Sequence, residues 1–439
     1  MNAVIIAVGI MLVLSLLRVN VVLALVIGAI TGGLTGGLTI EETISSFTNG
    51  LGDGATIALS YAMLGGFAVA ISQTGIPHLL VNGMLRLMKK DGETTRQTLG
   101  KVLVVLVLLT MAVFSQNLIP IHIAFIPLLV PPILHVLNML EIDRRLIACV
   151  LAFGLTAPYI LLPYGFGFIF QEIIATQMAT AGMEIDMALI PKAMAFPVLG
   201  LFVGLLIAIF ISYRKPRSYR NEELTSDVGE VVVKTRNIFF TIAALIGTLA
   251  VQIPTQSMIA GAVTGIAILY ISGALKWKEA DGLLNEGMQM MAFVGFVMIA
   301  ANGFASVLND TGHIAILVEN TSAILGDNKA IAAFLMLLVG LIVTMGIGSS
   351  FATIPIIASI FVPLSIAFGF GPMATIALIG TAGALGDAGS PASDSTLGPT
   401  AGLNADGQHN HVWDTCVPTF IHFNIPLLLF GWATILFFG

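Results

Sequence analysis

Residues Asn49 to Val81 read NGLGDGATIALSYAMLGGFAVAISQTGIPHLLV, and Glu286 to Val318 read EGMQMMAFVGFVMIAANGFASVLNDTGHIAILV. A shift of 237 residues lays one over the other without a gap. Nine pairs are then identical: Gly50/Gly287, Ala55/Ala292, Gly66/Gly303, Phe67/Phe304, Ala68/Ala305, Thr74/Thr311, Gly75/Gly312, Leu80/Leu317 and Val81/Val318. Chance in so apolar a window gives roughly three. The same shift brings Ile5 onto Ile242, Ala7 onto Ala244, Gly28 onto Gly265 and Gly36 onto Gly273. Further along, TMAVFSQNLIP (Thr110 to Pro120) lies over TMGIGSSFATIP (Thr344 to Pro355) with one inserted residue. The chain is a duplication whose copies cover most of each half.

Around these strings the composition is that of a membrane protein. Of 439 residues, 57% are hydrophobic and 10% charged, against roughly a quarter charged in a soluble domain. Apolar runs, most of them near the ~20 residues that cross a bilayer as helix, fall at 3–17, 20–38, 55–72, 102–139, 146–170, 195–213, 238–253, 257–275, 290–308, 330–369, 374–395 and 415–437. The runs at 102–139 and 330–369 are too long for one crossing, so each is a helix pair or a re-entrant hairpin. No basic residue precedes the first apolar run, which reads as a retained helix and not a signal peptide. Cys149 and Cys416 lie in or beside apolar runs and read as buried thiols.

With the N-terminus outside, 16 of the 18 basic residues fall on one face, leaving Lys192 and Lys329 opposite. The positive-inside rule selects that orientation, with both termini outside a plasma (inner) membrane. The first copy then starts outside and the second inside. The expected fold is all-α and integral to the membrane. It is an inverted-topology repeat of about five transmembrane helices plus a re-entrant hairpin or helix pair per half, with broken helices at the centre. Residues 1–213 form the first repeat, 214–236 a cytoplasmic linker and 237–439 the second repeat. Inverted repeats mark alternating-access carriers, whose substrate and ions bind near the midplane at the repeat interface.

In hydrocarbon, irregular backbone and ionisable side chains survive only where protein or a water-filled cavity satisfies them. Four polar, helix-breaking clusters inside apolar runs are therefore the candidate site. In the first half they are Ser115-Gln116-Asn117 before Pro120, and Thr156 to Tyr159 with Pro158, continuing through Pro163. In the second half they are Gly346 to Thr353, with Ser349, Ser350 and Thr353, and the string Gly386-Asp387-Ala388-Gly389-Ser390-Pro391-Ala392-Ser393-Asp394-Ser395-Thr396. Carboxylates, hydroxyls and helix-breaking residues directly after an apolar span suit a dehydrated cation. Asp387, Ser390, Ser393, Asp394, Thr396, Ser349 and Ser350 are the expected ion ligands. Asp387, nearer the span, is expected to carry the ion, and Asp394 to fix the broken backbone by accepting from its N–H groups. Ser115, Gln116, Asn117, Thr353, Pro158, Tyr159 and Asn302 are the expected substrate contacts. His409-Asn410-His411 is weak evidence for a metal, and helix packing accounts for Asn302 about as well as substrate does.

The string GDAGSPASDST resembles the G-D-x-x-S-P-x-S-D-T-T signature of the NhaC-type sodium/proton antiporter family within the ion transporter superfamily. It matches at Gly386, Asp387, Ser390, Pro391, Ser393, Asp394 and Thr396 and departs at Ser395, where the pattern has Thr. The whole chain is similar to the shorter YuiF-like branch, described as amino-acid permeases. The resemblance implies paired hairpins and broken helices around a central site. It leaves the substrate open between ions and amino acids.

No P-loop is present to bind ATP, and no His-Glu-x-x-His or nucleophile-base constellation points to an enzyme. The expectation is a secondary carrier coupled to Na+ or H+, with a small organic solute such as an amino acid as cargo. Plain Na+/H+ exchange is the alternative and a channel the remote one. Its partners are the lipid bilayer and the transported solute or ion, with a homodimer allowed; no nucleic acid and no cofactor beyond the coupling ion are expected. Cysteines introduced at Ser218 and Thr180 should label from opposite sides of intact cells. Same-side labelling would overturn the inverted arrangement.

Overall fold

The computed structural model describes residues 2–17, 19–74, 94–117, 122–164, 166–220, 235–255, 257–314, 316 and 328–439. Helices and turns account for them. The first half runs α1 (Ala3–Leu16), α2 (Val21–Thr35), α3 (Ile40–Gln73), α4 (Thr94–Asn117), α5 (His122–Met139), α6 (Arg144–Leu161), α7 (Phe166–Thr180) and α8 (Ile190–Ile207). The second runs α9 (Thr235–Thr255), α10 (Met258–Ile271), α11 (Ala280–Asp310), α12 (Lys329–Ile347), α13 (Ser350–Ala367), α14 (Pro372–Ala384), α15 (Asp394–Leu403) and α16 (Ile425–Phe438), the last preceded by π-helical turns at His411–Cys416 and Phe420–Asn424. Asn2, Asn20, Ser257 and Asn328 cap α1, α2, α10 and α12 by accepting from backbone N–H groups two or three residues on, as polar residues at the mouth of an apolar run should. Among the described residues, six helical stretches are long and apolar enough to cross a membrane.

The order of elements repeats, and so does their packing. Gly50 of α3 faces α11: a Cβ there would lie 2.6 Å from the Asn302 carbonyl oxygen and 2.9 Å from Gly303 Cα. Gly287 of α11 faces α3: a Cβ there would lie 2.2 Å from Gly66 N and 2.4 Å from Gly66 Cα. Gly50 and Gly287 are repeat mates, and so are Gly66 and Gly303, so one contact is made twice, once from each side. The two helices therefore run antiparallel about a local twofold axis. The axis passes where mates meet each other, at Ala58 and Gly295, whose added Cβ would sit 3.3 Å from that of Ala58. Phe304 fills the space beside Gly28, while its mate Phe67 fills the space beside Gly265, the mate of Gly28. This reciprocal exchange is the structural form of the inverted repeat.

Each long run divides as its length required. Lys329 Nζ, at the start of α12, donates to the carbonyls of Gly369 and Gly439 at 3.2 and 3.3 Å. The start of α12, the end of α13 and the chain end thus share one face. The opposite face carries Arg144, whose guanidinium donates to the Leu403 carbonyl at the end of α15 at 2.9 Å. Between the faces, Gly348 turns α12 into α13 with φ +74°, and a Cβ on it would lie 2.7 Å from the Ala392 carbonyl. The α12–α13 pair is a re-entrant hairpin whose tip rests on the gap between α14 and α15. Its first-half counterpart is α4–α5, whose turn at 118–121 lies outside the described residues. The 146–170 and 374–395 runs are each broken, into α6/α7 and α14/α15.

Several helices begin earlier than their apolar runs: α4 at Thr94 against 102, α11 at Ala280 against 290, and α3 most of all. The third run reads 55–72, but α3 begins at Ile40 and is 34 residues long, about 51 Å at the α-helical rise. Its polar first part stays helical because Glu42 caps it, accepting from Thr39 N at 2.8 Å, and because Gly50 lies against α11. Hydropathy registers apolar length and not this packing. The linker residues 221–234 lie outside the described residues.

At its glycine crossings the α3–α11 seam sets backbone against backbone. Gly287→Ala forces a methyl into the Gly65–Gly66 backbone and should lower the melting temperature in detergent, overpacking of this kind costing about 1–3 kcal/mol. Gly52→Ala, which meets open space in the same helix, should melt as the parent or slightly higher. Equal melting of both variants would refute the seam.

Candidate functional site

The gap between α14 and α15 is where the acidic string lies. Leu385 leaves the helix with extended backbone, and Gly386 and Gly389 take φ of +89° and +106°, values that L side chains rarely adopt. Both glycines are also crowded by backbone, Met345 N at 2.8 Å from a Cβ on Gly386 and Phe420 Cα at 2.8 Å from one on Gly389. Unwinding frees backbone groups that hydrocarbon cannot solvate. Asn424 answers two of them. Its Oδ1 accepts from Gly386 N at 2.8 Å, and its Nδ2 donates to the Ala388 carbonyl. Ser390 Oγ donates to the Met345 carbonyl of the hairpin at 3.0 Å and accepts from Ala392 N at 3.1 Å. Thr396 Oγ1 lies 2.6 and 2.9 Å from the carbonyls of Ser390 and Ser393.

Within that frame sit two carboxylates. Asp387, 6% exposed, is ringed by hydroxyls: Oδ1 accepts from Ser393 Oγ at 2.6 Å, and Oδ2 from Tyr159 and Ser395 at 2.9 Å each. The phenol of Tyr159 has one proton and gives it to Asp387, so Ser350 Oγ, 2.8 Å away, must donate to the phenol. Asp394 opens α15. Tyr61 of α3 hydrogen-bonds to it, and among the described residues its Oδ1 has no hydrogen-bond partner. Ser393 joins the two acids, for its Oγ caps α15 by accepting from Ser395 N at 3.2 Å while donating to Asp387. Among the described residues neither carboxylate has a Lys or Arg partner. The site thus draws on α3, the α6 break, the hairpin tip and the α14–α15 gap.

Of the residues singled out in the sequence, Asp387, Ser393, Asp394, Tyr159 and Ser350 converge here. Ser390 and Thr396 lie beside them, but their hydroxyls are turned onto backbone carbonyls. Asp394 does not fix the backbone as expected, because Asn424 and these hydroxyls already satisfy the freed groups. Ser349 is the N-terminal flank of α13, makes no side-chain cap bond, and its carbonyl accepts from Thr353 at 2.9 Å, which turns Thr353 inward on its own helix. Pro158 is buried in α6, where its carbonyl accepts from Leu162 N at 2.8 Å. Asn302 belongs to the α3–α11 seam, its carbonyl against Gly50. Ser115, Gln116 and Asn117 end α4, and their side chains lie outside the described residues. Tyr61, Ser395 and Asn424 were missed. Tyr61 and Asn424 were visible as lone polar groups in apolar runs, and Ser395 stood in the string itself as the departure from the pattern.

Residues 150–432 match the Na+/H+ antiporter family, and residues 2–88 match a second Na+-H+ antiporter family description. The chain belongs to the Na+/H+ antiporter family. It is a multi-pass membrane transporter. It is 54% identical over 99% of its length to all of a Bacillus subtilis protein named "Putative amino acid transporter YuiF". An uncharacterized membrane protein of Vibrio parahaemolyticus is 56% identical, over 98% of this chain and 99% of that one. Among solved structures, the YdaH transporter of Alcanivorax borkumensis aligns with a TM-score of 0.44 and 14% identity, over 89% of this chain and 87% of that one.

Asn424→Leu removes both partners that hold Gly386 and Ala388. Each unpaired buried group costs about 1–3 kcal/mol, so the variant should melt several degrees below the parent. An unchanged melting temperature would show that Asn424 does not hold the break.

Proposed function

We propose that the chain is a cation-coupled carrier that works by alternating access, takes up Na+ or H+ at Asp394 beside Asp387, and moves a small organic solute such as an amino acid. The observation that carries the reading is a pair of carboxylates in a broken helix with no basic partner among the described residues. A carboxylate so placed demands a cation or a proton, and the donors that meet the pair are hydroxyls, Tyr159, Ser393 and Ser395 on Asp387 and Tyr61 on Asp394. Asp387 is the nearer to the apolar span, but three hydroxyls already satisfy it. Asp394 keeps an open oxygen and is the better ion ligand, with Asp387 as the fixed charge that makes the pair selective for a cation. The amino-acid cargo is supported by the name of the Bacillus relative. The face bearing Arg144, Arg145 and Arg217 is assigned to the cytoplasm by the positive-inside rule, with both termini outside.

Plain Na+/H+ exchange is the second reading, and one observation favours it. Tyr159, expected to meet an organic substrate, is spent on Asp387. The readings separate on binding: a ligand that prefers the folded state raises the melting temperature by mass action, so one amino acid among the twenty should stabilise a carrier, and none an exchanger.

In proteoliposomes Asp394→Asn should cut ion-driven flux at least tenfold while the protein still inserts and folds, the amide keeping the shape and losing the charge. Asp387→Asn should impair flux less severely, because the amide oxygen can still accept from Tyr159 and Ser395 and only the bond from Ser393 and the fixed charge are lost. Full ion dependence in Asp394→Asn would defeat the assignment, and loss in Asp387→Asn alone would return the ion to Asp387.

A further inference from the structure

A chain of four buried side chains leads away from the broken helix on its other side. His411 Nε2 lies 2.9 Å from the Pro391 carbonyl, between the two acids in sequence, and its Nδ1 lies 2.8 Å from Thr400 Oγ1. Thr400 Oγ1 is 2.9 Å from Thr415 Oγ1, and Thr415 Oγ1 is 2.7 Å from His409 Nε2. His409, His411, Thr400 and Thr415 are each at most 9% exposed. Yet a cavity of about 630 Å³, also lined by Asn404 and Asp414, reaches His409, His411 and Thr400.

Donor accounting gives the chain a direction. A carbonyl only accepts, so His411 carries its proton on Nε2 and Nδ1 is the acceptor. Around that neutral ring Thr400 donates to Nδ1, Thr415 to Thr400, and His409 from Nε2 to Thr415; the direction the structure shows between the threonines, Thr400 to Thr415, is the opposite one, that of the chain after a proton has passed. In each arrangement every bond points the same way. A proton taken up on His409 Nδ1 can move the whole set on by one place. Nε2 of His409 gives its proton to Thr415, Thr415 to Thr400 and Thr400 to His411 Nδ1. His409 is left neutral, His411 is an imidazolium, and no heavy atom has moved. Thr400 has a further acceptor for its hydroxyl in the Thr396 carbonyl at 2.8 Å, so both states are satisfied.

We propose that His409, Thr415, Thr400 and His411 form a proton-binding relay that loads His411 from the cavity and thereby places a positive charge against the broken helix. The groups around it are Cys416, whose Sγ is 3.6 Å from His411 Nε2, the ring of Phe293 from α11, 5.7 Å away and edge-on, and the more distant charges of Asp414, Arg144 and Arg217, which act on His409. Burial holds the His409 imidazole below its ordinary value, against the pull of Asp414, so the resting chain is neutral and loads on the acid side of neutrality. The charged ring opposes cation binding nearby, a consequence that rests on the carrier reading above; the proton site itself does not.

The test therefore has two arms. In protein labelled with 15N-histidine and solubilised in detergent, the resonance lost in His411→Gln should be an Nε2–H neutral ring at pH 8 and should titrate as the pH is lowered. Thr400→Val should move its midpoint by half a unit or more, about threefold in proton affinity, and Thr400→Ser should restore it. A His411 ring that is Nδ1–H, or whose midpoint ignores Thr400→Val, would overturn the relay. In proteoliposomes the acid-side loss of ion-driven flux should shift in the same sense in His409→Gln and Thr400→Val. Absence of any ion-driven flux in the parent would sink the carrier reading and leave the spectroscopic arm to decide the relay.

Discussion

The structure depends on satisfying an unwound backbone and two carboxylates inside an apolar protein. Neither can be solvated there by lipid, and neither carboxylate has a basic residue beside it among those described. The solution uses only neutral groups. Asn424 and the hydroxyls of Ser390 and Thr396 take up the freed backbone, and Tyr159, Ser393 and Ser395 surround Asp387. A basic residue in their place would have made a structural ion pair and closed the site to any other cation. Neutral donors hold the geometry and leave the charge uncompensated.

Duplication explains how so many elements reach one place. Because Gly50 meets Gly303 and Gly66 meets Gly287, the α3–α11 pair is self-complementary, and a self-complementary seam between antiparallel copies brings their matching breaks towards one another. The α6 break of the first half lends Tyr159 to the α14–α15 break of the second. The symmetry is one of scaffold and not of chemistry. The first-half break supplies a phenol, and the acids come from the second half alone.

Much of the scaffold was legible in the sequence, because the repeat is written in glycines and phenylalanines whose spacing survives when other positions drift. The division of the long runs followed from their length against the bilayer. The acidic string was legible for the same reason: carboxylates and helix breakers in an apolar run have no bland explanation. What escaped was whatever depends on which way a side chain turns. Ser390 and Thr396 look identical to Ser393 and Ser395 in the string, yet two face backbone carbonyls and two face Asp387. The choice is set by Gly386 and Gly389, whose left-handed backbone decides the direction of every following residue. Tyr61 and Asn424 escaped because their partners lie hundreds of residues away, or across a fold that hydropathy does not describe.

The same contacts bear on which parts can move. The C-terminal end of α15 is fastened to α6 by Arg144, whose guanidinium meets both oxygens of Asp406 at 2.6 and 2.5 Å and stacks on Tyr219 at 4.3 Å. Burial raises the Asp406 carboxyl, but the hydrogen bonds and charge of Arg144 outweigh it and hold the group below its ordinary value. A lowered folded-state value means that the clamp's contribution is present above the unfolded carboxylate range and is lost only as pH falls through the folded value. Across the neutral range the clamp therefore stays shut, and α15 moves with α6 if it moves at all. At its other end α15 meets the α3–α11 seam through Tyr61 on Asp394, and the ring of Phe293 from α11 packs edge-on against His411 of the following π-helical turn. On the carrier reading, the boundary between the seam and the hairpin-bearing part is the weaker one. A cation that takes the open oxygen of Asp394 competes with the tyrosine that spans it, which ties occupancy of the site to the contact that would have to slide.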